Sequence, residues 1–162
     1  MAIWQFAVQL VPRKWVLENP IGVDQFLLEE GFSCAIAWEG SPQSIDSLVL
    51  EIDKGFPRGR GWSESCLLWG EVDSTDIQLW SEGSEIDSLQ ARIDLRSDPF
   101  NSIRLVCQIA QSTQCMIYSP ELHEVFDPSL EGFLGRIRNS RSWSFVSDPR
   151  GFLERLSNEP KR

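Results

Sequence analysis

The sequence predicts a single α+β domain over residues 1–158, with about four to six short helices packed on a mixed, mainly antiparallel sheet that includes a hairpin near residues 75–96. Three observations predict it. Prolines repeatedly follow a residue able to cap a helix, and apolar side chains alternate with period two in short runs between those points. The 162 residues are 41% hydrophobic and include seven Trp and nine Phe, enough apolar surface for one buried core. Residues 159–162 read as a flexible tail.

Taken in order, Trp4, Phe6, Val8 and Leu10 alternate and predict a strand. The apolar start lacks a basic leader region, is interrupted by Gln5 and Gln9, and runs into Pro12-Arg13-Lys14 without a small-residue cleavage site. It does not read as a signal peptide, and a cytoplasmic location is expected. Asn19-Pro20 is a possible helix start, with Asp24 the competing cap. Cys34, Ile36 and Trp38 alternate and predict a second strand. After Ser41-Pro42, the spacing of Ile45, Leu48, Val49 and Ile52 predicts a helix that Gly55 stops.

Ile77 and Leu79, with Thr75 as a further candidate, alternate in a run ending at Trp80; with the turn Glu82-Gly83-Ser84-Glu85 and the alternating Leu89, Ala91, Ile93 and Leu95 they predict the hairpin. Asp98-Pro99 opens a helix through Phe100, Ile103, Cys107 and Ala110. A short buried strand, Cys115 to Tyr118, follows it and completes a strand–helix–strand unit. Ser119-Pro120 carries the same capping chemistry, and His123 reads as part of a short surface helix. Asp127-Pro128 and Asp148-Pro149 open the last two helices, through Phe133, Leu134 and Ile137 and through Phe152, Leu153 and Leu156.

Catalytic chemistry is sparsely provided. His123 is the single histidine, so no cage of histidines can hold a metal, and none of the common nucleophile, phosphate-loop or zinc-hydrolase motifs occurs. Cys34, Cys66, Cys107 and Cys115 form no C-x-x-C pair and sit in apolar contexts, which predicts buried free thiols. No cofactor or metal is expected, and a non-catalytic role is favoured over an enzymatic one.

Three segments are candidates for function. Arg92, Asp94 and Arg96 fall on one face of a strand, where they could fork an anion or form a ladder of ion pairs. Lys54 to Trp62 is basic and glycine-rich, and reads best as a turn leading into the next strand. The segment from Gly61 to Ala91 has no Lys or Arg but carries seven acids, among them Glu71, Asp73, Asp76 and Glu85, together with Trp62, Trp69 and Trp80. Residues 1–133 carry a net −13 and residues 134–162 a net +4, so the molecule is electrically polarised.

The Leu/Ile-rich helix followed by Gly-Phe-Pro-Arg-Gly-Arg-Gly-Trp (55–62), Leu68-Trp69-Gly70, Asp76 to Trp80, Arg92 to Arg96, Ser144-Phe145-Val146 and Asp148-Pro149-Arg150-Gly151-Phe152-Leu153 forms a layout over about two thirds of the chain. It resembles a kind of small bacterial cytoplasmic protein of undetermined activity. Size and acidity are also similar to those of the immunity proteins that neutralise bacterial toxins. Neither resemblance implies a catalytic residue.

A net charge of −9 repels nucleic acid and anionic membrane and speeds encounter with a basic protein. The leading expectation is therefore a protein-binding domain that engages a basic partner through Trp62, Glu71, Asp73, Asp76, Trp80 and Glu85. The alternative is an anion or small-molecule site, with or without catalysis, on Arg92, Asp94 and Arg96. A homo-oligomer burying Trp-rich surface against itself is the third.

Overall fold

The computed structural model describes residues 2–29 and 31–158; the expected tail at 159–162 lies outside them. Six strands form one sheet: β1 (Gln5–Pro12), β4 (Cys66–Gly70), β5 (Asp76–Glu82), β6 (Glu85–Asp94), β7 (Cys115–Ser119) and β8 (Glu124–Phe126). Their order is β4-β5-β6-β1-β7-β8, and every pairing is antiparallel. A separate two-stranded ribbon pairs β2 (Leu27–Leu28) with β3 (Gly31–Phe32).

β1 lies between β6 and β7 and all eight of its residues are buried. Since β6 and β7 are both antiparallel to β1, they run in the same direction with β1 between them. The expected strand–helix–strand unit is therefore present, with helix α4 (Phe100–Ser112) crossing over an intervening strand.

Period two sorts the sheet into two unlike faces. Phe6, Val8 and Leu10 of β1 register with Ile93, Ala91 and Leu89 of β6, and this face continues through Ile77, Leu79 and Ile117. It forms the main core with Leu48 and Ile52 of α3 (Ile45–Asp53), Ile103 and Val106 of α4, and Phe133 and Ile137 of α5 (Leu130–Arg138). The opposite face carries Gln5, Gln9, Asp76, Gln78, Arg92 and Asp94, all buried.

Over one end of that polar face sits a small lid. It consists of α1 (Arg13–Glu18), a 3-10 turn (Gly22–Phe26), the ribbon and α2 (Ala35–Trp38). Its own core is Val11, Phe26, Cys34, Ala37 and Tyr118. Trp15 stacks on Phe26, with ring centroids 5.0 Å apart. At the other end of β1, α6 (Arg141–Ser147) docks through Ser142, whose buried hydroxyl donates to the Gln5 carbonyl at 2.9 Å. α7 (Pro149–Asn158) then packs on α6.

Several expectations need correction. Cys34–Trp38 is not a strand: Ala35–Trp38 is the helix α2, with Cys34 at its N-cap. Cys34, Ala37 and Trp38 are buried while Ile36 is exposed, so burial follows i, i+3, i+4. A run of five residues was too short to separate the two periods, and two alanines favour the helix. Ser41 and Asp127 do not cap α3 and α5. Ser44 closes a capping box with Ser47, and Ser129 accepts from Gly132 N–H. Asp98 and Asp148 do accept the orphan N–H groups of Phe100 and Gly151. Ser119-Pro120 begins a turn, and His123 lies in it at φ 52° with no helix around it. Helices α1 and α6 and strands β2, β3 and β8 are two to seven residues long, too short to carry a periodic signal in the sequence.

Candidate docking surface

The β5–β6 hairpin carries three of the six residues of the expected site, Asp76, Trp80 and Glu85, and the fold does not bring the six to one place. β5 rises about 3.3 Å per residue, so its two ends are about 20 Å apart. Glu71 and Asp73 are exposed in the β4–β5 turn at one end. Glu85 and the ring of Trp80 lie at the other end, where Trp62 packs on Trp80 with centroids 6.3 Å apart. The loop bearing Trp62 is held there by Ser81 N–H donating to the Ser65 carbonyl at 3.0 Å. Trp62 is 54% exposed, whereas Trp69 is fully buried in the core.

Asp76 is also fully buried, so its carboxylate cannot meet a partner. It sits across from Arg92 in the sheet and accepts from Arg92 Nε at 2.9 Å and from its Nη2. Gln78, two residues along the same face, donates to Asp76 at 3.3 Å, and Trp80 Nε1 donates to Gln78 Oε1 at 3.1 Å. A single hydrogen-bonded row therefore runs down β5 from the half-buried indole to the buried ion pair. It fixes the Trp80 ring.

The Arg92, Asp94 and Arg96 row is internally neutralised. Arg92 is used by Asp76. Arg96 forks the Asp94 carboxylate through Nε and Nη2, at 3.0 and 2.7 Å, donates to the Asp73 carbonyl, and lies over the Trp4 ring at 4.4 Å. The Arg96 hydrogen bonds hold the Asp94 carboxyl below the usual aspartate range, against the opposing effect of burial. None of the five cavities found at α1, at the hairpin tip, between α3 and α4, at α6–α7 and between α1 and α2 is lined by these three side chains.

The basic loop has a structural task. Arg58 forks Asp53 and stacks over Trp69 at 4.5 Å. Gly59 N–H donates to Leu68 and Gly70 N–H to Pro57, so the loop covers the free edge of β4. A Cβ on Gly59 would stand 2.7 Å from the Gly70 carbonyl oxygen, which explains the glycine.

What the hairpin tip does assemble is a crevice of about 420 Å³ between β6 and the turn after α2. Glu39, Glu85 and Asp87 line it, with Trp38 and Ile86 supplying apolar wall. All three carboxylates are exposed, and none forms an ion pair among the described residues. Glu82 and Glu64, also exposed, extend the negative charge toward Trp62. Glu39 and Trp38 were absent from the sequence-based site. Glu39 stands 46 positions before Glu85, and with α2 read as a strand nothing linked the two.

Comparison with protein-family models, curated proteins and solved structures yields no significant match to this chain. The reading of the site rests on its geometry.

Proposed function

We propose that the chain is a non-catalytic binding domain that takes a basic segment of a protein partner at the β5–β6 hairpin tip. The observation that supports this reading most directly is the crevice of unpaired carboxylates, Glu39, Glu85 and Asp87, at the hairpin tip where exposed Trp62 packs on half-buried Trp80. Unpaired acids around a partly apolar hollow suit the head and stem of a lysine or arginine. An exposed indole already braced by a neighbour loses little freedom when a partner covers it. An immunity-type inhibitor of a basic bacterial toxin is the most specific form of the proposal. In that form the carboxylates would occupy the toxin surface that otherwise receives phosphate.

The experiment is affinity capture from the source cells with the wild-type chain and with a Glu39→Lys, Glu85→Lys, Asp87→Lys variant, compared at physiological salt. The expected result is one or a few basic proteins retained by the wild type and lost by the variant, with identical circular dichroism. Capture of the same proteins by both chains would overturn the proposal, and so would capture of none by the wild type. The anion-site alternative is weaker, because each of its arginines already has a carboxylate partner.

A further inference from the structure

The lid is apolar on its outside as well as its inside. Leu17, Ile21, Leu27, Leu28, Phe32 and Ile36 are large, exposed and confined to this one packed unit; Ile21 is 87% exposed and Leu28 57%. Leu27 and Phe32 stand opposite each other in the ribbon, which rests on the sheet through Phe32 against Tyr118. Isolated exposed leucines are ordinary, but this many on one small unit is not. Beyond Arg13 and Lys14 at the start of α1, the charged residues described in the lid are all acids: Glu18, Asp24 and Glu29. From Trp15 to Asp53 there are eight acids and no Lys or Arg, a longer cation-free run than the one at Gly61 to Ala91.

The same chain carries the complement. On α6 and α7, Trp143, Leu153 and Leu156 are exposed, and Leu153 and Leu156 are one helical turn apart. Exposed arginines lie on and beside these helices: Arg138 at the end of α5, Arg141 on α6, and Arg150 and Arg155 on α7, the last two in solvent-exposed pairs with Glu154 at 3.5 Å and Asp148 at 3.9 Å. The two surfaces cannot meet within one molecule. α1 leaves β1 after Pro12, whereas α6 is tied to Gln5 at its start, and eight strand residues hold those points about 25 Å apart.

We infer that the chain associates head to tail with a second copy of itself, the Arg- and Leu-bearing face of α6–α7 on one molecule seating on the acid-fringed ribbon of the next. Apolar contact supplies the attraction and charge sets the orientation, because ribbon against ribbon would bring acids together and helix against helix would bring arginines together. Such contacts use different patches on the two molecules, so they extend into chains or close into rings rather than stopping at a two-fold dimer. This inference is independent of the partner proposal, which uses Glu39, Glu85 and Asp87.

Sedimentation velocity tests it, with wild type, Leu28→Lys and Leu153→Glu measured from micromolar to near-millimolar concentration. Both substituted positions are more than half exposed, so both variants should fold, which thermal melts check. The wild-type mean mass should rise with concentration and fall with added salt, while each variant alone stays monomeric. An equimolar mixture of the two variants retains one intact interface and should give a one-to-one dimer of twice the monomer mass. A wild type that remains monomeric at every concentration, or variants that associate as it does, would overturn the inference. Failure of the mixture to dimerise would exclude the head-to-tail arrangement. None of these outcomes alters capture of a partner through the hairpin tip.

Discussion

Asp76 and Arg92 face each other across β5 and β6 as a forked ion pair from which water is excluded on both sides. A lone charge left there has no solvent to turn to, so the pair is worth little as a whole and a great deal when broken. Asp76→Ala or Arg92→Ala is expected to cost about 3–5 kcal/mol in urea unfolding at neutral pH. Asp76→Leu with Arg92→Met should recover most of that loss, because both charges leave together. If the double variant is as unstable as either single one, the pair is not what holds these two strands in register.

The second pair on that row, Asp94 with Arg96, gives a pH dependence of known sign. Arg96 lowers the folded-state pKa of Asp94 below its ordinary value of about 3.9, so the unfolded chain takes up the proton more readily. The stability this contributes is complete at neutral pH. It begins to drain as the pH falls toward about 4, and is lost as the pH passes down through the folded value. Urea midpoints measured from neutral to strongly acidic pH should fall less steeply for Asp94→Asn than for the wild type. Parallel curves would show that other carboxylates carry the acid sensitivity.

The contrast between these two pairs explains what could be read in advance. Arg92 and Asp94 do share a face of β6, because period two is a property of the backbone and survives any tertiary context, whereas Arg96 lies past the end of the strand and reaches Asp94 through its side chain. Their partners do not follow from it: Asp76 lies on another strand, and only the register shows that it neutralises Arg92. The hairpin was readable for the same local reason, since Gly83 at φ 61° sits where a tight turn needs positive φ. Glu71, Asp73 and Glu85 are close in sequence and suggest one surface, but an extended strand separates as much as it connects. The crevice joining Glu39 to Glu85 depends on where α2 packs, and that is a long-range contact with no local signature.

Burial also sets the chemistry of the cysteines. All four are buried and unpaired, and burial pushes the thiol of Cys34 up to about 12 and those of Cys66, Cys107 and Cys115 up to about 11. Since the thiolate is the reactive form, the native protein should react with none of its thiols on the timescale of a minute at mildly alkaline pH. After unfolding in urea all four should react at once, read by the colour released from an aromatic disulfide reagent. A fast-reacting thiol in the native state would mean that the segment around it opens locally.

His123 offers the closest test of the lid's attachment. It occupies φ 52°, which costs a residue with a side chain about 1 kcal/mol or more. It is held there by two contacts: the Tyr118 hydroxyl meets Nδ1 at 3.0 Å, and Nε2 meets the Asp24 carboxylate at 2.9 Å. The tautomer protonated on Nε2 satisfies both. Asp24 is 84% exposed at its side chain, so that bond is solvent-screened, whereas the Tyr118 ring is buried and its hydroxyl is pushed up to about 12, chiefly by burial. Tyr118 in turn packs against Phe26 and Phe32, which belong to the lid. His123→Ala keeps the backbone strain and loses both contacts, leaving Tyr118 without its partner, for an expected cost of about 2 kcal/mol. His123→Gly loses the same contacts but releases the strain, and should be more stable than the alanine variant by about 1 kcal/mol. In both variants amide exchange should quicken in residues 22–36 while β1 and β6 stay protected, because the bond ties the lid to the sheet and not the sheet to itself. Equal stability of the alanine and glycine variants would remove the strain from this account, and unchanged exchange in the lid would remove the tether.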